Sequence, residues 1–109
     1  MKIREKTSAD RRREMQKTLQ RIMGDHPVYF QPPRDEKMSY PCIRYKLNDI
    51  DTRKADNRKY KKMNRYDVIL IDENPISKFV DPILDIEYCS FDRSYSSDNL
   101  NHYVFTIYN

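Results

Sequence analysis

Four side chains of this sequence could ligate a transition metal: Cys42, Cys89, His26 and His102. They are isolated along the chain, and none forms a Cys-x-x-Cys or His-x-x-x-His pair, the spacing that fixes the local geometry of a zinc site. We therefore expect no metal and interpret them as small buried thiols and ordinary strand histidines. A Cys nucleophile activated by a His base would need a tertiary proximity that the sequence does not indicate.

Three carboxylates flank an apolar run that ends at Ile71, namely Asp67, Asp72 and Glu73, and Lys78 follows them. Such a set could belong to a metal-dependent nuclease. Residues 72–75 are explained better as the start of a helix, with the Asn side chain as cap and the Pro at the first helical position. The carboxylates therefore give only a weak indication of catalysis.

Glycine is almost absent, since Gly24 is the single one in 109 residues. Glycine-rich loops that bind phosphate need several glycines, so this whole class of site is excluded. Without a catalytic constellation or a cofactor motif, we expect a protein that is not an enzyme, with no catalytic residues and no cofactor.

The most unusual segment lies between residues 48 and 63, which are charged and poor in apolar side chains. Its cations, with Tyr60 among them, are typical of a surface that contacts phosphate and stacks a base. The same charges also suit docking onto the acidic surface of another subunit. The cations of this segment and its border are Arg53, Lys54, Arg58, Lys59, Lys61, Lys62 and Arg65.

The net charge of +4 hides a division along the chain. Residues 1–23 carry +5 and residues 24–43 carry −1, whereas residues 44–65 carry +6 and residues 66–109 carry −6. A chain with opposed blocks favours electrostatic contacts between copies at least as much as contact with nucleic acid. Hydrophobic residues make up 38%, which predicts one domain over residues 1–109 with a thin core.

Composition alone argues against several classes of protein. No apolar run approaches the roughly 18 residues of a transmembrane helix, so we expect a soluble protein without membrane contact. The first residues lack the apolar stretch of a secretory signal, and two cysteines do not form a disulfide framework. These features favour a reducing compartment.

The apolar spacing predicts the elements that must position these side chains. Met15, Leu19, Ile22 and Met23 form a helical stripe, which predicts a helix over residues 8–23 with Thr7 or Ser8 as cap and Gly24 at its end. Prolines predict an edge strand over residues 26–33. Further strands are predicted over residues 40–47, 64–72 in the sheet centre, 88–95 and 101–108, with a turn at 96–99. A second helix is predicted from residue 75, either kinked by Pro82 or restarting with Asp81 as cap.

The predicted fold class is α+β, in the order α-β-β-β-α-β-β. Its sheet is mainly antiparallel, and the helices pack on one face. Residues 1–7 are expected to be flexible, and residues 48–63 form a long charged loop or extended arm between the second and third strands.

Short pieces of the sequence, in their order and spacing, resemble the small tail terminator proteins of long-tailed (siphophage-type) phages, also called tail completion or head-to-tail joining proteins. The resemblance covers nearly the whole chain beyond about residue 10. Its pieces are the amphipathic helix and residues 28–33, 40–45, 55–57 with Tyr60, 65–68, 71–72 with Asn74 and Pro75, and 98–105.

The resemblance implies a structural virion protein, assembled in the host cytoplasm, that forms a hexameric ring at the head-proximal end of the tail. Its implied partners are further copies of itself, the major tail tube protein and a head-completion, stopper or connector protein, and DNA passes through the lumen without specific binding. We interpret Arg11, Arg12 and Arg13 as an exterior or head-side contact. The interpreted subunit or tube interface comprises Arg53, Lys54, Asp56, Asn57, Arg58, Lys59, Tyr60, Lys61 and Lys62.

Two other hypotheses remain open on the sequence. A small basic module could bind nucleic acid through residues 53–65, using the same cations and Tyr60. An enzyme using Asp67 and Asp72 would cleave DNA in a metal-dependent reaction.

Overall fold

The computed structural model describes the backbone of residues 6–55 and 59–109 and the side chains of residues 6–50 and 63–109. The predicted order α-β-β-β-α-β-β is confirmed, and the five strands form one sheet in the order β1-β2-β3-β5-β4. All neighbouring strands pair antiparallel except β1 and β2, which run parallel. The elements are α1 (Ser8–Met23), β1 (Val28–Phe30), β2 (Cys42–Ala55), β3 (Lys59–Asp72), α2 (Val80–Leu84), β4 (Cys89–Ser97) and β5 (Leu100–Tyr108).

Helix α1 has the predicted bounds because both of its ends are capped. The Thr7 hydroxyl accepts a hydrogen bond from the Asp10 amide at 3.1 Å, and the Asp10 carboxylate accepts one from the Thr7 amide at 3.0 Å. At the other end Gly24 has a φ of 65°, and its amide donates to Gln20. Lys6 and Thr7, which we expected to be flexible, are thus attached to the helix, since Lys6 also pairs with Glu14 at 2.8 Å.

The core lies between the two helices and one face of the sheet, as predicted. Alternate residues of a strand point to opposite faces, so Tyr66, Val68 and Leu70 of β3 all lie beneath the helices. Leu19 of α1 and Ile83 of α2 are fully buried against this face. The rest of this core comprises Met15, Met23, Ile43, Tyr45, Phe79, Phe105 and Ile107.

The central position predicted for β3 is confirmed, whereas its burial on both faces holds only in part. Ile71 is buried on the face opposite the helices, but Ile69 on the same face is only half-buried. Residues 31–41, which connect β1 to the parallel strand β2, contact part of that face. Tyr29 points to this face, and its hydroxyl accepts a hydrogen bond from the Ser39 amide at 3.4 Å.

The second helix is much shorter than predicted, and both of its predicted caps are wrong. Helix α2 begins at Val80 rather than Pro75, and its N-cap is Phe79 rather than Asn74 or Asp81. The preceding residues form turns instead, because the Pro75 carbonyl, which a helix from residue 75 would pair with the Phe79 amide, accepts a hydrogen bond from the Tyr103 hydroxyl, and the Phe79 amide donates to the Ser77 hydroxyl. Pro82 fits in α2 because the amides of the first helical turn have no helical acceptor.

The last two strands form the predicted hairpin. Their turn consists of Asp98 and Asn99, which have φ values of 53° and 62°. Two successive residues with positive φ match the right-handed twist of the flanking strands, and Asp and Asn tolerate that conformation. No helix among the described residues is long and apolar enough to cross a membrane.

Candidate subunit interface

Strands β2 and β3 continue past the bounds predicted from the sequence and form a projecting arm. Most of the predicted charged loop is therefore paired strand, with Ile50 opposite Asn64 and Ala55 opposite Lys59. We call residues 50–55 and 59–63 the arm, since neither β1 nor β5 pairs with them. Two strands of 14 residues each span about 46 Å. This length accounts for the 50 Å longest dimension of a molecule that measures 28 Å in the other two.

A β-bulge with a polar brace marks the base of the arm. The register shifts between Leu47 and Asp49, so Asn48 is the extra residue. Its amide group donates to Asp67 at 2.6 Å, and its amide oxygen accepts a hydrogen bond from Arg65. Bulges bend and twist the strand that carries them, and here three side chains from two strands hold the bend in place. Sequence reasoning missed this brace, whose signal is the interrupted alternation at residues 47–49.

The predicted interface residues belong to the segment that forms the arm and its connection. Backbone pairing aligns Arg53 with Lys61 and Lys54 with Tyr60. The interface side chains lie outside the part of the chain whose side chains the structure describes, and so do residues 56–58 entirely. The assignment of these nine residues to a subunit or tube interface remains a prediction: Arg53, Lys54, Asp56, Asn57, Arg58, Lys59, Tyr60, Lys61 and Lys62.

The three arginines at the start of α1 are not equivalent. Arg12 donates to the Tyr45 hydroxyl at 3.0 Å, and its guanidinium lies 4.4 Å from the centre of the Phe30 ring. Arg11 is half-buried and donates to the Lys6 carbonyl and the Ser8 hydroxyl. Only Arg13 of the three is exposed, and it pairs with Asp10 at 2.7 Å. Arg12 therefore joins helix to sheet, and the predicted head-side contact of this trio remains a prediction.

Tyr45 is the acceptor at the centre of this helix–sheet contact. Its hydroxyl also donates to the Gln16 side chain, which in turn donates to the Val28 carbonyl at 3.1 Å. Burial raises the pKa of Tyr45 above its usual value, against a smaller opposing effect of the Arg12 cation. The neutral hydroxyl is thus the form that holds α1 on the sheet.

Strand β4 lies at the end of the sheet and is exposed along almost its whole length. Its aromatic residues rest on β5: the Tyr95 ring stacks on His102 at 4.6 Å, and Phe91 meets Phe105 edge to face at 5.7 Å. A bulge between Phe91 and Arg93 interrupts the ladder. We did not single out this edge from the sequence, although its serine-rich end without Lys or Pro is a recognisable signal.

Exposed carboxylates flank this edge. Helix α2 packs next to β4, and it presents Asp81 at its start and Asp85 at its end, with Glu87 in the following turn. These three lie in the block of residues 66–109 that carries −6. The β4 side of the body is therefore acidic, whereas the sequence of the arm is basic.

The residues singled out for chemistry are not brought together. Cys42 and His102 lie on the two strands next to β3, and both are opposite Ile71. Their backbones are therefore two strand spacings apart, about 10 Å, which is too far for a hydrogen bond between the side chains. Burial raises the pKa of Cys42 and of Cys89 from 9.0 to about 11, so both remain thiols near neutral pH. No group of three or more His, Cys, Asp or Glu within the described residues could hold a metal ion.

The carboxylates of the nuclease hypothesis also lie apart. Asp67 points to the face opposite the helices, where Asn48 binds it. Asp72 is the last residue of β3, five residues further along the strand. It is buried, and its carboxylate accepts a hydrogen bond from the Ser77 hydroxyl in the following turn at 2.7 Å. Five residues of strand span about 16 Å, so the two carboxylates do not share a site.

Surface clefts lined by described residues include one on each face of the sheet. The larger, about 450 Å³, lies on the face opposite the helices and is lined by Arg44, Lys46, Asp67 and Ile69 among others. The smaller, about 320 Å³, lies between α1 and the end of β5. Among the described residues that line these two clefts, no pair of side chains hydrogen-bonds as a nucleophile and its base.

Scanned against protein-family models and searched against curated proteins, the chain matches none of them.

Proposed function

We propose that this protein is a structural subunit of a ring that caps a phage tail tube, ends tail polymerisation and provides the docking surface for the head-side connector. The sequence resemblance to tail terminator proteins supports this role. So does a fold with a projecting two-stranded arm and an exposed strand, β4, at the end of its sheet. The proposed activity is assembly, without catalysis or cofactor.

The observation that carries the proposal is the arm. A two-stranded ribbon outside a hydrophobic core is only marginally stable by itself, so a long one is typical of a segment that docks on another molecule. Residues 44–65, which include the arm, carry +6, and the segment from residue 66 to 109 carries −6. Copies arranged head to tail would bring these opposite charges together.

The direct test is imaging of virions assembled with and without this protein. The proposal predicts that particles lacking it show unjoined heads beside tails of uncontrolled length, and that the protein supplied in trans restores joined particles. Normal tails and joined heads in its absence would contradict the proposal. Light scattering on the purified assembly tests the ring, because six copies of 13.3 kDa give about 80 kDa.

The role of the arm, together with the adjoining Arg58, is tested by removing positive charge. Replacing Arg58, Lys59, Lys61 and Lys62 with Ala should abolish ring assembly and tail capping. A matched control replaces four exposed cations outside the arm, Lys17, Arg21, Arg34 and Lys37, and should leave both intact. Assembly and capping that survive the arm substitutions would show that the arm is not the contact.

The same variants separate the alternative, a nucleic-acid-binding module that uses residues 53–65. That function predicts a monomer that shifts DNA at low salt and loses this binding steeply as salt increases. Loss of DNA binding in the arm variant, with no effect on assembly, would favour this alternative over tail capping.

A further inference from the structure

The outer side of β4 carries unpaired backbone groups whose positions follow from the hairpin. In a two-residue hairpin the residues flanking the turn, Ser97 and Leu100, form a hydrogen-bonded pair. Along an antiparallel ladder such pairs alternate with pairs that are not hydrogen-bonded to each other. Tyr95 and His102 are the next hydrogen-bonded pair, so Ser94, opposite Tyr103, directs its N–H and C=O away from β5. No described strand lies on that side.

This edge carries few of the features that normally prevent strand pairing. Edge strands are commonly protected by lysine, proline or a bulge. The bulge in β4 lies near its middle, and the Asp92 and Arg93 side chains beside it pair with each other at 2.9 Å. From Ser94 to Ser97 the strand has no charge and no proline, and its serines allow another backbone to approach closely.

A second open edge lies on β2. Strand β1 pairs only with residues 43–45, and the Leu47 amide is occupied by the Gln31 side chain at 3.1 Å. Beyond the bulge, Ile50 is 51% exposed, and its amide donates to a side chain, that of the neighbouring Asp49 at 2.8 Å, rather than to a described strand. From Ile50 onward, β2 therefore has a side on which no described strand pairs with it.

Charge favours one pairing of these two edges. Two β4 edges placed together would bring Asp81, Asp85 and Glu87 of both copies close to one another, and like charges repel. A β4 edge placed against the arm would instead bring these carboxylates near a segment whose sequence is basic. The occupant that fits the β4 edge best is therefore the arm portion of β2 in a second copy.

We propose that the outer edge of β4 in one copy pairs by backbone hydrogen bonds with β2 of the next copy, from Ile50 onward. This pairing is head to tail, because each copy contacts one neighbour with its β4 edge and the other neighbour with its β2 edge. Head-to-tail contacts close into a ring where the rotation permits. The inference deepens the proposed function by naming the partner of both edges, and it is tested separately.

The test uses proline as a block on each edge. Proline is tolerated on an edge strand where its amide would face solvent, and it cannot donate to an added strand. Ser94→Pro should therefore block the β4 edge, and Ile50→Pro should block the β2 edge, with neither disturbing the ladder within the subunit. Ser94→Thr and Ile50→Val are the matched controls, because both keep the backbone N–H.

Mixing the two proline variants decides between the arrangements. In sedimentation measurements across a concentration series, each proline variant alone should remain monomeric, and the controls should assemble like the unmodified protein. A mixture should give a one-to-one dimer, because the Ser94→Pro copy keeps its β2 edge and the Ile50→Pro copy keeps its β4 edge. Far-UV circular dichroism and thermal unfolding verify that both variants remain folded.

The contrary outcomes are equally distinct. An Ile50→Pro variant that dimerises alone would indicate β4-to-β4 pairing, and a Ser94→Pro variant that assembles normally would exclude the β4 edge. An unmodified protein that stays monomeric throughout the series would also overturn the inference. A Ser94→Pro variant that still assembles and still caps tails would refute the edge pairing and leave the proposed function standing. Assembly through these edges, together with normal tails and joined heads in virions that lack the protein, would refute the function and leave the pairing.

Discussion

Removal of the Tyr45 hydroxyl should weaken the attachment of α1 to the sheet. Tyr45→Phe keeps the ring, which stacks on Phe30 with centroids 4.9 Å apart, and deletes the hydroxyl that receives Arg12 and donates to Gln16. A hydrogen bond to a charged group contributes about 1.5–3 kcal/mol and a neutral one about 1 kcal/mol. Arg12 is only half-buried and regains water in the variant, so we expect a net loss of about 2 kcal/mol.

Urea unfolding followed by circular dichroism measures this loss. In thermal unfolding, a loss of about 2 kcal/mol should lower the melting temperature of a domain of this length by about 8 °C. Tyr108→Phe is the matched control: this tyrosine is 38% exposed, and surface substitutions of this kind stay within about 0.5 kcal/mol. Measurements should be made on a monomeric form, so that the variant is not stabilised by assembly.

The pH dependence provides a second readout of the same contact. Because burial raises the pKa of Tyr45, its stabilising effect is complete below the unfolded-state pKa of about 10 and decreases as pH rises further. Tyr45→Phe should therefore make the alkaline decline in stability shallower. If Tyr45→Phe costs no more than Tyr108→Phe, or leaves the alkaline slope unchanged, the hydroxyl does not hold the helix.

Three further experiments test the core, the helix cap and the thiols. Leu19→Ala should lower the free energy of unfolding by about 2–5 kcal/mol in urea titrations, because Leu19 is fully buried under α1, whereas Ile22→Val on the same helix should cost about 1 kcal/mol. Thr7→Ala should cost about 1 kcal/mol, and Thr7→Ser should restore most of it, since Ser provides the same cap. Cys42 and Cys89, whose pKa burial raises to about 11, should react with iodoacetamide much more slowly in the folded protein than in urea at pH 8; equal rates would contradict their burial as thiols.

Much of the body could be predicted because its signals are local. The apolar stripe of α1 lies between a Thr cap and the single glycine, so pattern and caps agree on both ends. The β4–β5 hairpin is similarly determined by Asp98 and Asn99, which tolerate positive φ. The helices lie on one face because the apolar sides of α1 and the central strand can be buried only against each other.

The wrong or missed features depend on competition between local and tertiary interactions. Asn74 and Pro75 have the sequence of a helix start, but the Tyr103 hydroxyl donates to the Pro75 carbonyl, and the Phe79 amide that would pair with this carbonyl in a helix donates to the Ser77 hydroxyl. The β4 edge was missed because its serine-rich end without Lys or Pro indicates an open edge only once the strand order places the fourth strand at the end of the sheet. Neither outcome is determined by residue type alone.

An arm was predicted here, but its pairing as two strands was not, for a reason that bears on its function. Residues 51–62 contain only Ala55 and Tyr60 as apolar side chains, so they lack the alternation by which a half-buried strand is recognised. A ribbon with this sequence has no hydrophobic face to bury against its own body, and its cations repel one another. Pairing with the β4 edge of another copy would supply what the subunit lacks, namely a third strand and neighbouring carboxylates. If this is correct, amide hydrogen exchange in β2 from Ile50 onward should be fast in the Ser94→Pro monomer and at least about tenfold slower in the assembly. Equal exchange in the two states would show that the arm gains nothing from its neighbour.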